Sequence, residues 1–217
     1  MKRSFLILFV AAGVAFPQAA AHANSRYRTK DGRAGIAKNL AAGDRDARQR
    51  PKELVAALRL QPGMTVADLG TGVGYMLPHL AAAVGPAGKV IAEDIFPDFL
   101  DQARQTAERH SLANVTFVLG TEKDPKLPEN AVDLALALDA YHHFDYPESM
   151  LAAIARGLRP GGRLVVVDFY KAAFDDPNHI RLDEAAVIQE IEANGFRLLS
   201  RREFIPKRQY LAEFEKK

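Results

Sequence analysis

Between Thr65 and Phe214, short apolar runs rich in β-branched residues alternate with stretches in which apolar side chains recur every three or four positions. The short runs, Thr65–Leu69, Lys89–Asp94, Val115–Leu119, Val132–Leu138 and Arg163–Phe169, read as strands. Most are apolar at successive positions, the pattern of strands covered on both faces. The helical periods predict helices over Tyr75–Val84, Pro97–His110, Glu148–Leu158 and Leu182–Asn194. An earlier helix begins near Asp46, accepts Pro51 in its first turn, carries Leu54, Leu58 and Leu60, and stops at Gln61-Pro62-Gly63. Such alternation predicts a doubly wound α/β sheet. The last two runs, Phe196–Ile205 and Gln209–Phe214, are joined by a Pro-Lys-Arg turn too short for a crossover, so they must pair as an antiparallel hairpin or part company. The expected fold is therefore α/β, a mostly parallel seven-stranded sheet with a C-terminal antiparallel hairpin.

The first 43 residues stand outside this alternation. Lys2 and Arg3 precede an apolar run from Phe5 to Phe16, then Pro17 and Ala21-His22-Ala23. That layout predicts a secretory signal peptide over residues 1–23, cleaved after Ala23, with the body exported to the periplasm and no stable membrane anchor after cleavage. The apolar run is shorter than the roughly 20 residues a bilayer span takes. Residues 24–43 are polar, basic and glycine-punctuated without a convincing period, and are expected to form a flexible lead-in to a domain over 44–217.

Composition narrows the functions. Of the 29 basic residues two leave with the leader, matching the 27 acids, so bulk charge gives no reason to expect a nucleic-acid partner. The basic cluster Arg201, Arg202, Lys207 and Arg208 reads as a solvated strand face. With no cysteine, the chain has no disulfide framework, thiolate metal site, cysteine nucleophile or lipoprotein anchor.

The chemistry concentrates at strand ends. Val66-Ala67-Asp68-Leu69-Gly70-Thr71-Gly72-Val73-Gly74-Tyr75 closes the first strand and opens a helix. Three glycines in five residues let the backbone turn sharply and approach a ligand where a Cβ would collide. The following helix N-terminus offers free N–H groups to a carboxylate. A dinucleotide fingerprint needs a further glycine where Tyr75 stands. About 20 residues on, the second strand ends in Glu93-Asp94-Ile95. Strand alternation sets the two acids on opposite faces.

These residues resemble the motifs of class I S-adenosylmethionine-dependent methyltransferases. The resemblance implies that Asp68 and the Gly70-Thr71-Gly72-Val73-Gly74 bend serve the amino-acid end of S-adenosylmethionine, and that Asp94, followed by Ile95, takes the ribose hydroxyls. After the third strand, where the family often has an acid at adenine, this chain has Thr121, with Glu122 as a substitute. Leu158-Arg159-Pro160-Gly161-Gly162 looks like the family's turn into the fifth strand, and Asp44–Pro51 like the lead helix of exported members, which commonly carry Trp where Arg48 stands. The absence of cysteine argues against the family's arsenite-methylating branch, which holds its substrate with cysteines.

At the end of the fourth strand lie Asp139-Ala140-Tyr141-His142-His143-Phe144. Ligands bind at this edge of an open α/β sheet. Asp139 is expected at the cofactor, and His142 or His143 as general base or acceptor-orienting group. No metal is expected, because neighbouring histidines rarely point the same way and no third ligand stands at helical spacing. The family's Asn-Pro-Pro-Tyr type signature for amino groups of nucleic acid is absent, which favours a small-molecule acceptor. The expected function is S-adenosylmethionine-dependent methyl transfer. The alternative, motivated by the leader, is a non-catalytic protein that binds or senses an adenosyl ligand.

Overall fold

A computed structural model describes residues 18–174, 176 and 178–217. The apolar body of the leader lies outside them. Among the described residues, no helix is long and apolar enough to cross a membrane.

The sheet has seven strands: β1 (Thr65–Leu69), β2 (Lys89–Asp94), β3 (Val115–Leu119), β4 (Val132–Leu138), β5 (Leu158–Phe169), β6 (Phe196–Ile205) and β7 (Gln209–Lys216). Their order is β3-β2-β1-β4-β5-β7-β6. β1 to β5 are parallel, and β7 runs antiparallel between β5 and β6. The order reverses between β1 and β4, so the crevice beyond the carboxyl ends of these two strands is where such a sheet binds ligands.

Seven α-helices accompany the sheet among the described residues: α1 (Lys30–Leu40), α2 (Arg45–Gln49), α3 (Pro51–Leu58), α4 (Leu77–Val84), α5 (Pro97–Arg109), α6 (Pro147–Gly157) and α7 (Glu184–Ala193). Alternation along each central strand divides the core. Val66, Leu134, Leu136, Val165 and Val167 pack against α3, α4 and α5. Ala67, Ala135, Ala137, Leu164 and Val166 pack under α6 and α7. Burying a side chain such as Leu134 completely stabilises the fold by ~1.5–3 kcal/mol. Both faces of the inner strands need this covering, which explains their unbroken apolar sequence.

Among the boundaries that differ from expectation, two have a plain local cause. β5 starts at Leu158, because Leu158 pairs with Val132 before Arg159–Gly162 bulge out and pairing resumes at Leu134 with Arg163. The helix expected from Asp46 is broken at Arg50, whose φ of 46° and ψ of 58° end α2 before Pro51 opens α3.

The expected flexible lead-in instead forms a short 3-10 helix, Ala23–Arg28, and then α1, which Thr29 caps by accepting from the Gly32 N–H. Few apolar residues hold it. Tyr27 stacks on Phe96 with ring centroids 5.8 Å apart, and Ile36 and Leu40 join Phe99 in a small third core. Arg33 grips both Asp98 carboxylate oxygens at 2.8 and 3.0 Å and the Tyr27 carbonyl at 2.8 Å. Phe96, Asp98 and Phe99 are supplied by distant sequence, so the segment has little period of its own.

Candidate functional site

The glycine bend after β1 is built to approach a ligand. Gly70, Gly72 and Gly74 have φ of 66°, 56° and 79°, the left-handed region that favours glycine. A Cβ on Gly74 would come within 3.0 Å of the Ala103 Cα on α5, so this glycine lets helix and bend touch and does not face the crevice. Gly70, Thr71 and Gly72 line a cavity of about 360 Å³ at the reversal of strand order. That volume falls within the range of small-molecule sites.

Asp68 sits behind the bend. It is buried and accepts from the Thr71 hydroxyl at 2.7 Å, bracing the turn from below without lining the cavity. Burial pushes its carboxyl up to about 6, against the Thr71 hydrogen bond and the charge of Arg45. Asp94 does line the cavity. It accepts from the Gly72 N–H at 2.9 Å and the Phe96 N–H at 3.0 Å, and burial again raises it to about 6 while those N–H groups pull it down.

Alternation along β2 was expected to turn Glu93 to the other face, but Glu93 and Asp94 both line the cavity. The long Glu93 side chain fits between two glycines. It accepts from the Gly70 N–H at 3.3 Å, and a Cβ on Gly120 would overlap its Oε1. Burial holds its carboxyl well above the usual range, with Asp94 adding to the effect. Its Oε1 has no hydrogen-bond partner among the described residues. A buried acceptor in that state is costly.

Beyond β3, Glu122 and not Thr121 reaches the cavity. Thr121 is spent on a local turn, where its N–H donates to the Asp124 carbonyl at 2.8 Å. Ile95 lines the cavity next to Asp94. At the end of β4, Asp139 adopts φ 53°, and this half-buried residue lines the cavity. Gln49 of α2 and Gln209 of β7 both donate to its carboxylate, the latter at 2.5 Å. Burial and then Asp168 raise the Asp139 carboxyl to about 7.

The two adjacent histidines part company. His143 lines the cavity, whereas His142 lies buried behind it, donating Nδ1–H to Asp168 Oδ1 at 2.7 Å and its backbone N–H to Oδ2 at 3.0 Å. Burial lowers the His142 pKa, but Asp168 and then Asp139 outweigh it and hold it above the ordinary value. Burial, with His142 and His179 nearby, keeps His143 well below its ordinary value and hence neutral. Asn24 clamps His143, accepting from Nδ1 at 2.7 Å and donating to its carbonyl at 2.9 Å. Tyr141 is turned into the core, where it donates to Glu190 at 2.6 Å. Asp133 is structural, accepting from the Thr65 N–H at 2.7 Å and pairing with Arg159.

One of the two grounds for expecting no metal is the lack of a third ligand at helical spacing. His179 supplies a third imidazole from the loop before α7, and one ring nitrogen of each of His142, His143 and His179 lies within 4.8 Å of the others. Nothing in local spacing announces a partner 36 positions on.

Sequence reasoning also missed Asn24, Tyr27 and Arg33 of the lead-in and Arg45 of α2, which close the cavity from the N-terminal side. Arg45 lies over the Tyr75 ring, 4.1 Å from its centroid. The one available signal was the aromatic and arginine content of an otherwise polar stretch.

Residues 60–204 match the family described as a methyltransferase domain, and the chain belongs to that family. It is 30% identical over 133 residues to the arsenite methyltransferase of Halobacterium salinarum, covering 61% of this chain and 33% of that protein. It is 31% identical over 113 residues to the ubiquinone/menaquinone biosynthesis C-methyltransferase of Ectopseudomonas mendocina, covering 52% of this chain and 44% of that one. The matched region thus spans less than half the length of these curated relatives. A solved S-adenosylmethionine-dependent methyltransferase from Aquifex aeolicus superposes with a TM-score of 0.78 at 28% identity, over 83% of this chain and 96% of that chain. The cofactor of this family is S-adenosylmethionine, and the residues present fit it: a left-handed bend, paired acids at the end of β2 and an unsatisfied buried acceptor on Glu93.

Proposed function

We propose that this protein transfers a methyl group from S-adenosylmethionine to a small-molecule acceptor bound beside His143. The contact between Asp94 and Gly72 carries the reading, because it joins a side-chain-poor bend to an acid at the sheet edge inside one cavity. When bound, S-adenosylmethionine supplies an electrophilic methyl on a positively charged sulfur that departs as a neutral thioether.

The chain's own residues hold and align. Each Asp94 oxygen accepts one backbone N–H and keeps a lone pair for a ribose hydroxyl. Glu122 stands at the adenine end. Asp139, fixed by Gln49 and Gln209, faces the cavity with a carboxyl raised to about 7, whose charged form a bound sulfonium would favour. Transfer to a good electrophile depends chiefly on aligning nucleophile, carbon and sulfur. His143, neutral and clamped by Asn24, orients the acceptor, and His142 positions His143 through ring contact at 4.0 Å. A cavity of about 360 Å³ shared with the cofactor favours a small acceptor over a polymer.

The leader supports export. Cleavage after Ala23 removes Ala19 and Ala20, whose N–H groups bind Asp145, and makes Asn24 the first residue. N-terminal sequencing of protein recovered from the periplasm tests this, and a chain that retains residues 18–23 contradicts it. Export also favours a second reading, an adenosyl-ligand sensor. Incubation with methyl-labelled cofactor and a metabolite extract separates the two: labelled product with S-adenosylhomocysteine supports the enzyme, and binding without turnover supports the sensor.

A further inference from the structure

We propose that His142, His143 and His179 form a three-imidazole site for a divalent transition-metal ion of the zinc class, set in the wall of the cofactor cavity. The three rings come from two segments. His142 and His143 end the short 3-10 turn after β4, and His179 closes on them from the loop before α7, with ring centroids 5.3 and 5.9 Å away. One nitrogen from each lies within 4.8 Å of the other two. Tetrahedral ligation at about 2.0–2.1 Å sets ligand nitrogens roughly 3.3 Å apart, so modest side-chain rotation closes the site.

The hydrogen bonds around the rings have the form that metal-binding histidines require. His142 gives its Nδ1–H to Asp168, and His143 gives its Nδ1–H to Asn24, each at 2.7 Å. In both rings this leaves the Nε2 lone pair free. Such outer partners fix the ring's orientation and tautomer and raise its basicity towards an ion. Among the described residues, His143 Nε2 has only the Tyr27 hydroxyl at 3.4 Å, a contact that ligation would replace. Two carboxylates, the buried Asp168 and the half-buried Asp139, lie near enough to His142 to act on its charge, and they offset a doubly charged ion. Phe174 stacks on the His179 ring at 4.5 Å and Phe169 stands edge-on to His142, so the outer wall is apolar. Imidazole ligands suit zinc and its neighbours and not magnesium or calcium.

Three protein ligands leave one tetrahedral position open to water or a donor atom of the acceptor. Because His143 lines the cavity, that position is within reach of a bound molecule. With an ion present, His143 orients the acceptor through the metal. The inference concerns ion binding and is read without S-adenosylmethionine, so it stands or falls separately from methyl transfer.

The test is titration of the untagged, chelator-stripped full chain with Zn²⁺ against a chromophoric chelator, and with Co²⁺ for tetrahedral visible absorption. One ion per chain is expected, with affinity reduced at least about tenfold in His179→Ala, as loss of a shell partner already costs that much. His110→Ala, at the exposed end of α5, should bind as the parent does. Should His179→Ala misfold, the loop variant His179→Gln carries the comparison, with Zn²⁺ raising the melting temperature of the parent and not of the variant. Absence of stoichiometric binding, or equal binding and stabilisation in the His179 variants, overturns the proposal.

Discussion

The carboxylate of Asp94 accepts from the backbone N–H of Gly72 at 2.9 Å, tying the end of β2 to the bend after β1. This contact shapes the bend ahead of any ligand. Its glycines differ in what they tolerate. On Gly72 a Cβ would meet only the movable tip of Leu40 at 3.0 Å, whereas on Gly74 it meets the Ala103 backbone. Gly72→Ala should therefore lose about 1–2 kcal/mol from its left-handed φ alone, and Gly74→Ala should lose more. Denaturant unfolding of both variants checks the order, and equal losses would show that the α5 contact is unimportant.

Stability of the cofactor-free protein should fall as pH rises from the ordinary imidazole value of 6.5 through the raised Asp139 value of about 7. Asp139, raised to about 7, and Glu93, raised well above the usual range, still hold protons in the folded state that the unfolded chain has lost. His142, also raised, acts in the same direction. The lowered histidines His143, His179 and His79 matter only below the ordinary imidazole value, where both states begin to differ in the opposite sense. Thermal melts across this window should slope downward, and Asp139→Asn should flatten the slope. A melting temperature that climbs with pH would contradict the burial of these acids.

Arg33→Ala should loosen the lead-in without unfolding the domain. The variant loses a two-pronged, partly exposed ion pair with Asp98 and a bond to the Tyr27 carbonyl, together ~1 kcal/mol. Because Tyr27 and Asn24 wall the cavity, cofactor affinity should drop about fivefold for that loss. Unchanged affinity would mean that the lead-in does not close the site.

Once an acceptor is known, His143→Ala should cut turnover at least about tenfold through lost alignment, while cofactor affinity stays within about twofold. Steady-state kinetics paired with cofactor titration reads both. A variant with full turnover removes the acceptor role from His143.

The strands were legible because each inner strand must bury both faces, and five of the seven agree with the sequence reading from end to end, β1 to β4 and β6. The placement of Gly70, Thr71, Gly72, Asp94 and Asp139 around one cavity was legible because close backbone approach and strand ends leave marks in local sequence. Glu93 was misassigned because alternation fixes where a Cβ points, and a long side chain between Gly70 and Gly120 reaches past that limit. Asp68, expected to serve the cofactor's amino-acid end, accepts from the Thr71 hydroxyl behind the bend. His179, Arg33 and Asn24 were illegible for one reason: each acts on residues more than 30 positions away, from segments without a clear apolar period.

Calorimetric titration of the full chain with S-adenosylmethionine tests the central claim most directly. The structure predicts a single site per chain, weakened at least about tenfold in Asp94→Ala, which removes a charged acceptor of ribose hydroxyls. No heat of binding in the parent, or equal affinity in the variant, would contradict the account.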